Sequence, residues 1–186
     1  MRKALFLDRD GVINREIGYL HKPQDVIFVD GIFSLCHLAQ RLGYVLIVVT
    51  NQSGIARGLY TTGQFEALMD WFRAEFWCRG LELTGVYHCP YHPEHGLGEF
   101  KRESEDRKPS PGMLRRAAHD HQLDLTQSLL IGDRCSDVAA ANAASLRQAF
   151  LISGTESKPC AGSFMPIATL AEAEDWLRKD SEASHL

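Results

Sequence analysis

The chain has 186 residues, of which 45% are hydrophobic and 24% are charged, a composition typical of one folded globular domain that excludes a disordered chain. Its formal net charge is −4, with 20 basic and 24 acidic residues mixed along the chain, so it offers no basic surface for a nucleic acid. No apolar run approaches the roughly 20 residues that a membrane-spanning helix needs, which excludes a transmembrane segment.

The first part of the chain contains two short apolar runs, at residues 4–7 and 44–49, that stop abruptly at polar residues. Runs of this length and composition predict buried parallel strands. Between them, the apolar residues of segment 31–42 recur at helical spacing, and Gly43 follows where a C-terminal cap belongs. The three segments together predict a βαβ unit.

The alternation of helices and strands continues to the end of the chain. Further helices are predicted over residues 62–79, 112–121, 137–144 and 170–179, and further strands over residues 85–88, 128–131 and 148–152. This order predicts an α/β fold with a doubly wound, mostly parallel sheet, whose functional groups lie at the carboxyl ends of the strands. We assign residues 1–180 to a single domain, residues 89–108 to an irregular loop of functional length, and residues 181–186 to a frayed tail.

Two carboxylates, Asp8 and Asp10, directly follow the first predicted strand. Residues two apart in an extended segment share a side, so both side chains point near one spot. Such a pair can bind Mg²⁺, attack an electrophile, or transfer protons, whereas a single loop aspartate more often caps a turn.

The ends of other strands add groups suited to a phosphate. The second strand ends in residues 50–54, where Thr50, Asn51, Gln52 and Ser53 provide hydroxyl, amide and backbone N–H donors. Gly132 and Asp133 end a later strand, and Arg107 and Lys108 come just before a helix, where their cations can meet an anion. Each of these features also has an ordinary explanation as a polar loop or a helix cap, including Asp137 at the start of its helix.

Taken in chain order, these residues resemble the haloacid-dehalogenase superfamily of phosphatases. The residues that match its four motifs are Asp8, Asp10 and Gly11, then Thr50, then Lys108, and then Gly132, Asp133 and Asp137. Within the superfamily, residues 6–11, 49–58 and 107–113 and the pair Cys89-Pro90 are similar to the branch of heptose-bisphosphate phosphatases, which also contains the histidinol-phosphatase domain. The resemblance spans nearly the whole chain and implies a Rossmann-like sheet with short loop insertions instead of a cap domain.

The resemblance also implies a role for each motif residue. Asp8 attacks phosphorus to give an aspartyl-phosphate, and Asp10 protonates the leaving alkoxide and then deprotonates the hydrolytic water. Mg²⁺ is held by Asp8, the backbone carbonyl of Asp10 and Asp133, while Thr50 and Lys108 hold the phosphoryl oxygens. The implied substrate contacts are Glu16, Ile17, Gly18, Tyr19, Asn51, Gln52, Ser53 and Arg107, with Arg57 as a further candidate.

The chain departs from this branch at a structural zinc site. Members of the branch often bind zinc through a Cys-X-His pair and a later Cys-X-Cys pair. Here the corresponding segments are Cys89-Pro90-Tyr91 and Ser104-Glu105-Asp106, so three of the four ligands are replaced. We therefore expect no structural zinc, a loop held by packing and hydrogen bonds, and a plain buried thiol at Cys89. The alternative is a rearranged metal site formed by His88, His92 and His95 around Cys89.

The function implied by the resemblance is hydrolysis of the 7-phosphate of D-glycero-D-manno-heptose 1,7-bisphosphate, in the synthesis of nucleotide-activated heptose for lipopolysaccharide or capsule. Alternatives are a histidinol-phosphate phosphatase, a nucleic-acid end phosphatase, a phosphotransferase to a sugar, and a non-catalytic binding protein on the same fold. The expected partner is a small phosphosugar, with no nucleic acid and no membrane, and we expect a monomer. Five cysteines, an odd number at scattered spacings, and an apolar N-terminal run interrupted by Asp8 favour a reducing cytoplasm over an exported protein.

Overall fold

The computed structural model describes residues 1–153 and 159–183. Its six strands are β1 (Lys3–Leu7), β2 (Tyr44–Asn51), β3 (Leu83–Cys89), β4 (Leu129–Gly132), β5 (Gln148–Ile152) and β6 (Met165–Ile167). They form one sheet in the order β3-β2-β1-β4-β5-β6, and every neighbouring pair is parallel. The predicted doubly wound α/β fold is therefore confirmed, and no cap domain is evident in the part of the chain that is described.

The helices are α1 (Ile32–Arg41), α2 (Ser53–Ala56), α3 (Thr62–Trp77), α4 (Gly112–His121), α5 (Cys135–Ala143) and α6 (Leu170–Ala183). Successive residues of β1 point to opposite faces of the sheet, and both faces are buried. Leu5 and Leu7 join a hydrophobic cluster with α1, α3 and α6, whereas Ala4 and Phe6 join a second cluster with α4 and α5. No helix within the two described ranges is long and apolar enough to cross a membrane.

Most predicted elements are confirmed with small differences at their ends, and two elements were missed. The apolar residues of α1 are buried, and Gly43 follows its end with a positive φ of 83°. The missed elements are α2, a single turn, and β6, a strand of three residues that contains Pro166. Helix α6 runs to Ala183, beyond the predicted limit at residue 179, and the rest of the predicted tail lies outside the described residues.

Helix α5 begins two residues earlier than predicted. Asp137 was considered as a cap in front of this helix, but the structure places it inside the first turn. Its Oδ2 accepts a hydrogen bond of 3.0 Å from the backbone N–H of Arg134, the residue that caps the helix. The second carboxylate oxygen of Asp137 therefore remains available for the site described below.

A disulfide joins Cys135, the first residue of α5, to Cys160 in the segment between β5 and β6. The spacing of the cysteines did not predict this bond, because the fold alone brings together two residues that are 25 positions apart. The other cysteines are free, with Cys36 and Cys89 buried and Cys78 exposed. The bond thus pairs two of the five cysteines whose odd number and scattered spacing favoured a reducing cytoplasm.

We predict that Cys160→Ser lowers the free energy of unfolding by about 3 kcal/mol, because the closed loop no longer restricts the unfolded chain. Urea denaturation under non-reducing conditions would measure this loss as a lower midpoint. The matched control is Cys78→Ser, which removes an exposed free thiol and should leave the midpoint unchanged. Equal midpoints for Cys160→Ser and the unmodified chain would contradict the stabilising role of the bond.

Candidate active site

The carboxyl ends of β1, β2 and β4 open into a cavity of about 550 Å³. The residues that line it are Asp8, Asp10, Glu16, Gly18, Tyr19, Thr50, Asn51, Gln52, Ser53, Gly54, Arg57, Tyr60, His92, Arg107, Lys108, Arg134 and Ser136. The fold thus brings together groups that lie about a hundred positions apart in sequence, at the edge of the sheet where an α/β fold binds its ligands.

Asp8 stands at the end of β1 and is almost completely buried. Its backbone N–H donates to the carbonyl of Ile131 in β4 at 3.0 Å, which fixes the side chain at the junction of the two strands. Burial raises the pKa of the Asp8 carboxyl to about 6, although the nearby Lys108 ammonium opposes this shift. The lysine therefore helps to keep a buried carboxylate ionised near neutral pH.

Lys108 is buried and its ammonium lies between two carboxylates. The Nζ atom is 2.5 Å from Asp137 Oδ1 and 3.1 Å from Asp8 Oδ1, and it donates to the carbonyl of Val49 at 2.9 Å. Burial alone would lower the pKa of this ammonium, but Asp137 and Asp8 raise it above its usual value. Lys108 is therefore a permanent positive charge at the floor of the cavity.

Asn51 holds the loop that carries Lys108. Its side-chain oxygen accepts from the Lys108 backbone N–H at 3.0 Å, and its side-chain nitrogen donates to the Lys108 carbonyl at 2.9 Å. The end of β2 thus fixes the backbone of a residue 57 positions away. Although Asn51 was predicted to contact substrate and does line the cavity, both ends of its amide are already engaged with the protein.

Three buried carboxylates, Asp8, Asp133 and Asp137, have oxygen atoms within 4.8 Å of one another. Burial first, and then the charges of Asp8 and Asp137, raise the pKa of the Asp133 carboxyl to about 7. Gly11 is required beside them, because its φ is +84° and a Cβ there would lie 2.3 Å from Asp133 Oδ2. A compact set of hard oxygen donors with excess negative charge fits a small divalent cation such as Mg²⁺.

These raised pKa values predict how the metal-free protein responds to pH. Between about pH 4 and pH 7 the folded chain keeps protons on Asp8 and Asp133 that the unfolded chain has lost, so stability falls as the pH rises through this window. We expect the Tm to fall by about 5 °C from pH 5 to pH 8 without divalent cations, and added Mg²⁺ to stabilise more strongly at pH 8.

The control for this prediction is Asp8→Asn, which should flatten the pH dependence by removing one of the two groups. His88 also contributes to the pH dependence of stability, with the opposite sign, because burial lowers its pKa. Since His88 is present in both proteins, the difference between their Tm curves reports the contribution of Asp8 alone. A metal-free Tm that falls equally in both proteins would show that Asp8 does not hold its proton.

Asp10 is held by a buried arginine that sequence reasoning did not single out. The Nη2 atom of Arg9 lies 2.8 and 2.6 Å from the two Asp10 oxygens, and the same atom donates to the carbonyl of Leu20 at 3.1 Å. The side-chain N–H groups of Asn14 and Gln52 also donate to Asp10, at 2.9 and 3.3 Å. These contacts aim the carboxylate into the cavity that Asp8 faces.

Most of the predicted substrate contacts line the cavity. They are Glu16, Gly18, Tyr19, Asn51, Gln52, Ser53 and Arg107, together with the further candidate Arg57. Ile17 belongs to the same loop as Glu16 but is about half exposed and does not line the cavity. Asp133 likewise does not line it, although one of its carboxylate oxygens lies within 4.8 Å of one of Asp8.

Several lining residues were missed by the sequence analysis. Arg134 pairs with Glu16 across the mouth of the cavity at 3.2 Å, and its position next to Asp133 was a usable signal. Tyr60 and His92 lie in segments without a motif, and only the path of the folded chain brings them to the cavity.

The loop where zinc was not expected is organised by contacts among its own residues. The carbonyl of Tyr91 accepts from Arg107 Nη1 at 3.1 Å and from the Cys89 thiol at 3.8 Å. The guanidinium of Arg102 lies 3.8 Å from the centre of the Tyr91 ring, and the backbone of His92 donates to Phe100. Within the described residues, the aspartate cluster above is the group of side chains close enough to hold a metal ion.

Comparison with known proteins finds relatives that match most of the chain and that share one named activity. The profile of the HAD-hydrolase-like family matches residues 106–173. The chain is 50% identical over 171 residues to D-glycero-alpha-D-manno-heptose-1,7-bisphosphate 7-phosphatase of Burkholderia mallei, covering 92% of this chain and 87% of the relative. It is 44% identical to D-glycero-beta-D-manno-heptose-1,7-bisphosphate 7-phosphatase of Vibrio cholerae, over 81% of each chain.

Solved structures agree with these relatives. D,D-heptose 1,7-bisphosphate phosphatase from B. bronchiseptica, complexed with magnesium and phosphate, matches with a TM-score of 0.82 and 26% identity over 96% of this chain and 99% of that chain. A HAD-like phosphatase from Mesorhizobium loti matches with a TM-score of 0.85 and 34% identity over 95% of this chain and 85% of that chain.

Proposed function

We propose that the chain, which belongs to the heptose-bisphosphate phosphatases of the haloacid-dehalogenase superfamily, removes the 7-phosphate of D-glycero-D-manno-heptose 1,7-bisphosphate. Like its relatives, it is a phosphoric monoester hydrolase. One observation of the structure carries the proposal: Asp8, Asp10, Thr50 and Lys108 line a single cavity, with Asp133 beside Asp8. The identity of 50% to a phosphatase named for this substrate supports the choice of sugar.

In the proposed reaction, a carboxylate oxygen of Asp8 forms a bond to phosphorus while the bond from phosphorus to the sugar oxygen breaks. Asp10 donates a proton to the leaving alkoxide and then accepts a proton from the water that hydrolyses the aspartyl-phosphate. Thr50 and the Lys108 ammonium bind the non-bridging oxygens, which offsets the repulsion between a carboxylate and a phosphate dianion.

The residues that would hold Mg²⁺ are Asp8, Asp133 and the backbone carbonyl of Asp10. The aspartate cluster fits a divalent cation because its three buried carboxylates outnumber the single ammonium of Lys108 beside them. The raised pKa values of Asp8 and Asp133 are consistent with this excess of negative charge. When bound, the cation supplies positive charge for the phosphoryl group and for the buried carboxylates. Asp137 already pairs with Lys108, so we assign it to orienting that ammonium rather than to metal binding.

For the structural metal, we predict that purified protein contains no stoichiometric zinc. Tyr91 and the segment 104–106 stand where the branch has zinc ligands, and the contacts of Arg102 and Arg107 with Tyr91 hold the loop instead. Elemental analysis after dialysis is the measurement. One zinc per chain would overturn this prediction.

The biological setting that we propose is the synthesis of nucleotide-activated heptose for lipopolysaccharide or capsule, in the cytoplasm. A small phosphosugar suits a cavity of about 550 Å³, and the net charge of −4 disfavours a nucleic acid. We further propose that the protein is active as a monomer.

The decisive experiment is release of inorganic phosphate from a panel of phosphomonoesters, with Mg²⁺ and with a chelator. We expect kcat/KM to be highest for the heptose 1,7-bisphosphate and activity to disappear without the cation. A higher kcat/KM for histidinol phosphate would contradict the proposed substrate, and phosphate release unaffected by the chelator would contradict the role of Mg²⁺. Formation of a new sugar phosphate in place of free phosphate would show a phosphotransferase.

A further inference from the structure

A chain of hydrogen bonds leads from Tyr60 to the groups that face the phosphate. The Tyr60 hydroxyl donates to Gln52 Oε1 at 2.5 Å. On the other side of the same amide, Gln52 Nε2 donates to Thr50 Oγ1 at 2.8 Å and to Asp10 Oδ2 at 3.3 Å. Gln52 and Thr50 are buried, so water does not readily replace these bonds.

The direction of each bond in this chain follows from the chemistry of its members. Gln52 can donate through its nitrogen only, and the Asp10 carboxylate can only accept while it is ionised, the state it has before it takes up the proton for the leaving alkoxide. Because Thr50 Oγ1 accepts from Gln52, its own hydrogen remains for a phosphoryl oxygen in the cavity. If the amide rotated by half a turn, its oxygen would face the Asp10 carboxylate and would compete for the hydrogen of Thr50.

Tyr60 is held where it can prevent that rotation. Gly54 lies against its ring so closely that a Cβ there would be 2.2 Å from Tyr60 Cε1. The ring of His21 stacks on Tyr60 with 5.3 Å between the centroids, and Tyr60 is 5% exposed. Burial raises the pKa of its hydroxyl to about 12, so the group keeps its proton and remains a donor at neutral pH.

We propose that Tyr60 is a positioning residue for phosphoryl transfer, which acts by fixing the orientation of the Gln52 amide and, through it, the hydroxyl of Thr50 and the carboxylate of Asp10. This inference rests on the proposed function, since it concerns the same transfer. It does not depend on the sugar, because Thr50 and Asp10 serve the phosphoryl group and the leaving oxygen of any monoester.

The test is a double-mutant cycle of Tyr60→Phe and Gln52→Met, followed with p-nitrophenyl phosphate and with the heptose bisphosphate. Tyr60→Phe keeps the ring and removes the donor, and we expect kcat to fall about 10-fold with KM changed by less than about 2-fold. In the Gln52→Met background, where no amide remains to be oriented, the same substitution should change kcat by less than about 2-fold.

The matched control is Tyr87→Phe, which also removes the hydroxyl of a buried tyrosine, one that donates to Asp120 at 2.9 Å outside the cavity. We expect this variant to retain the kcat of the unmodified chain. An unchanged kcat for Tyr60→Phe, or an equal loss in both backgrounds, would overturn the proposal and indicate a packing role. Activity on p-nitrophenyl phosphate without activity on the heptose bisphosphate would contradict the proposed substrate, while the cycle on p-nitrophenyl phosphate still decides the role of Tyr60.

Discussion

Replacing Asp8 with asparagine is expected to reduce kcat by about 10⁴-fold or more, because the amide has nearly the shape of the carboxylate but cannot attack phosphorus. The side chain is buried directly after β1, where the strand fixes its position. Release of inorganic phosphate at saturating substrate and Mg²⁺ measures the loss. The matched control is Asp70→Asn, an exposed acid on α3, which should retain full activity.

The same substitution is expected to leave the fold intact and the metal-free protein at least as stable at pH 8. Asp8 shares a buried site with Asp133 and Asp137, and its raised pKa shows that its charge is unfavourable there. Lys108 keeps its partner Asp137 in the variant. Retained turnover would show that Asp8 is not the nucleophile, and lost activity with a collapsed fold would show a structural role instead.

The sequence predicted the motif residues of the site better than the residues that surround them. Asp8 and Asp133 directly follow buried strands, and Thr50 is the second-to-last residue of one. Parallel strands bring their carboxyl ends to one edge, so local pattern and topology agree. Lys108 comes from an irregular loop and was identified from its motif. Its burial between two carboxylates could not be inferred, because it depends on Asn51 holding the loop from β2.

The residues that the sequence analysis missed are those whose contacts depend on the three-dimensional fold. Arg9 occupies the outward position between two aspartates in the motif, which suggests an exposed side chain, yet it is fully buried against Asp10. Tyr60 reaches the site because Gly54 has no Cβ and lets the tyrosine ring approach. No periodic pattern in the sequence indicates this contact. The bond between Cys135 and Cys160 joins residues 25 positions apart that no local pattern relates. Each of these contacts can be recognised only from the folded structure.

Lys108→Met is expected to lower kcat by about 10³-fold and, without metal at pH 8, to lower the free energy of unfolding by about 3 kcal/mol. Methionine retains most of the apolar stem, so the main loss is the ammonium. Its removal leaves Asp8 and Asp137 without the charge that lies 3.1 and 2.5 Å from them. Phosphate release and urea denaturation measure the two effects, and Lys101→Met, an exposed lysine in the same loop, is the control.

The pH dependence of this variant separates charge from packing. Lys108 lowers the pKa values of Asp8 and Asp133, which are about 6 and about 7 with the lysine present, so both carboxyls should be protonated at pH 5 in its absence. The stability loss should therefore be smaller at pH 5 than at pH 8. Added Mg²⁺ should restore stability at pH 8 because it supplies positive charge, but not turnover, because the phosphoryl oxygens have lost the donor of Lys108.

If Lys108→Met does not fold, the double variant Lys108→Met with Asp137→Asn decides the cause. It removes one buried charge of each sign, so it should recover much of the lost stability while remaining inactive. A stability loss of the same size at pH 5 and pH 8, unaffected by Mg²⁺ and by Asp137→Asn, would mean that the ammonium holds its loop by packing alone. In that case the electrostatic account of the site, in which one lysine offsets three buried carboxylates, would be wrong.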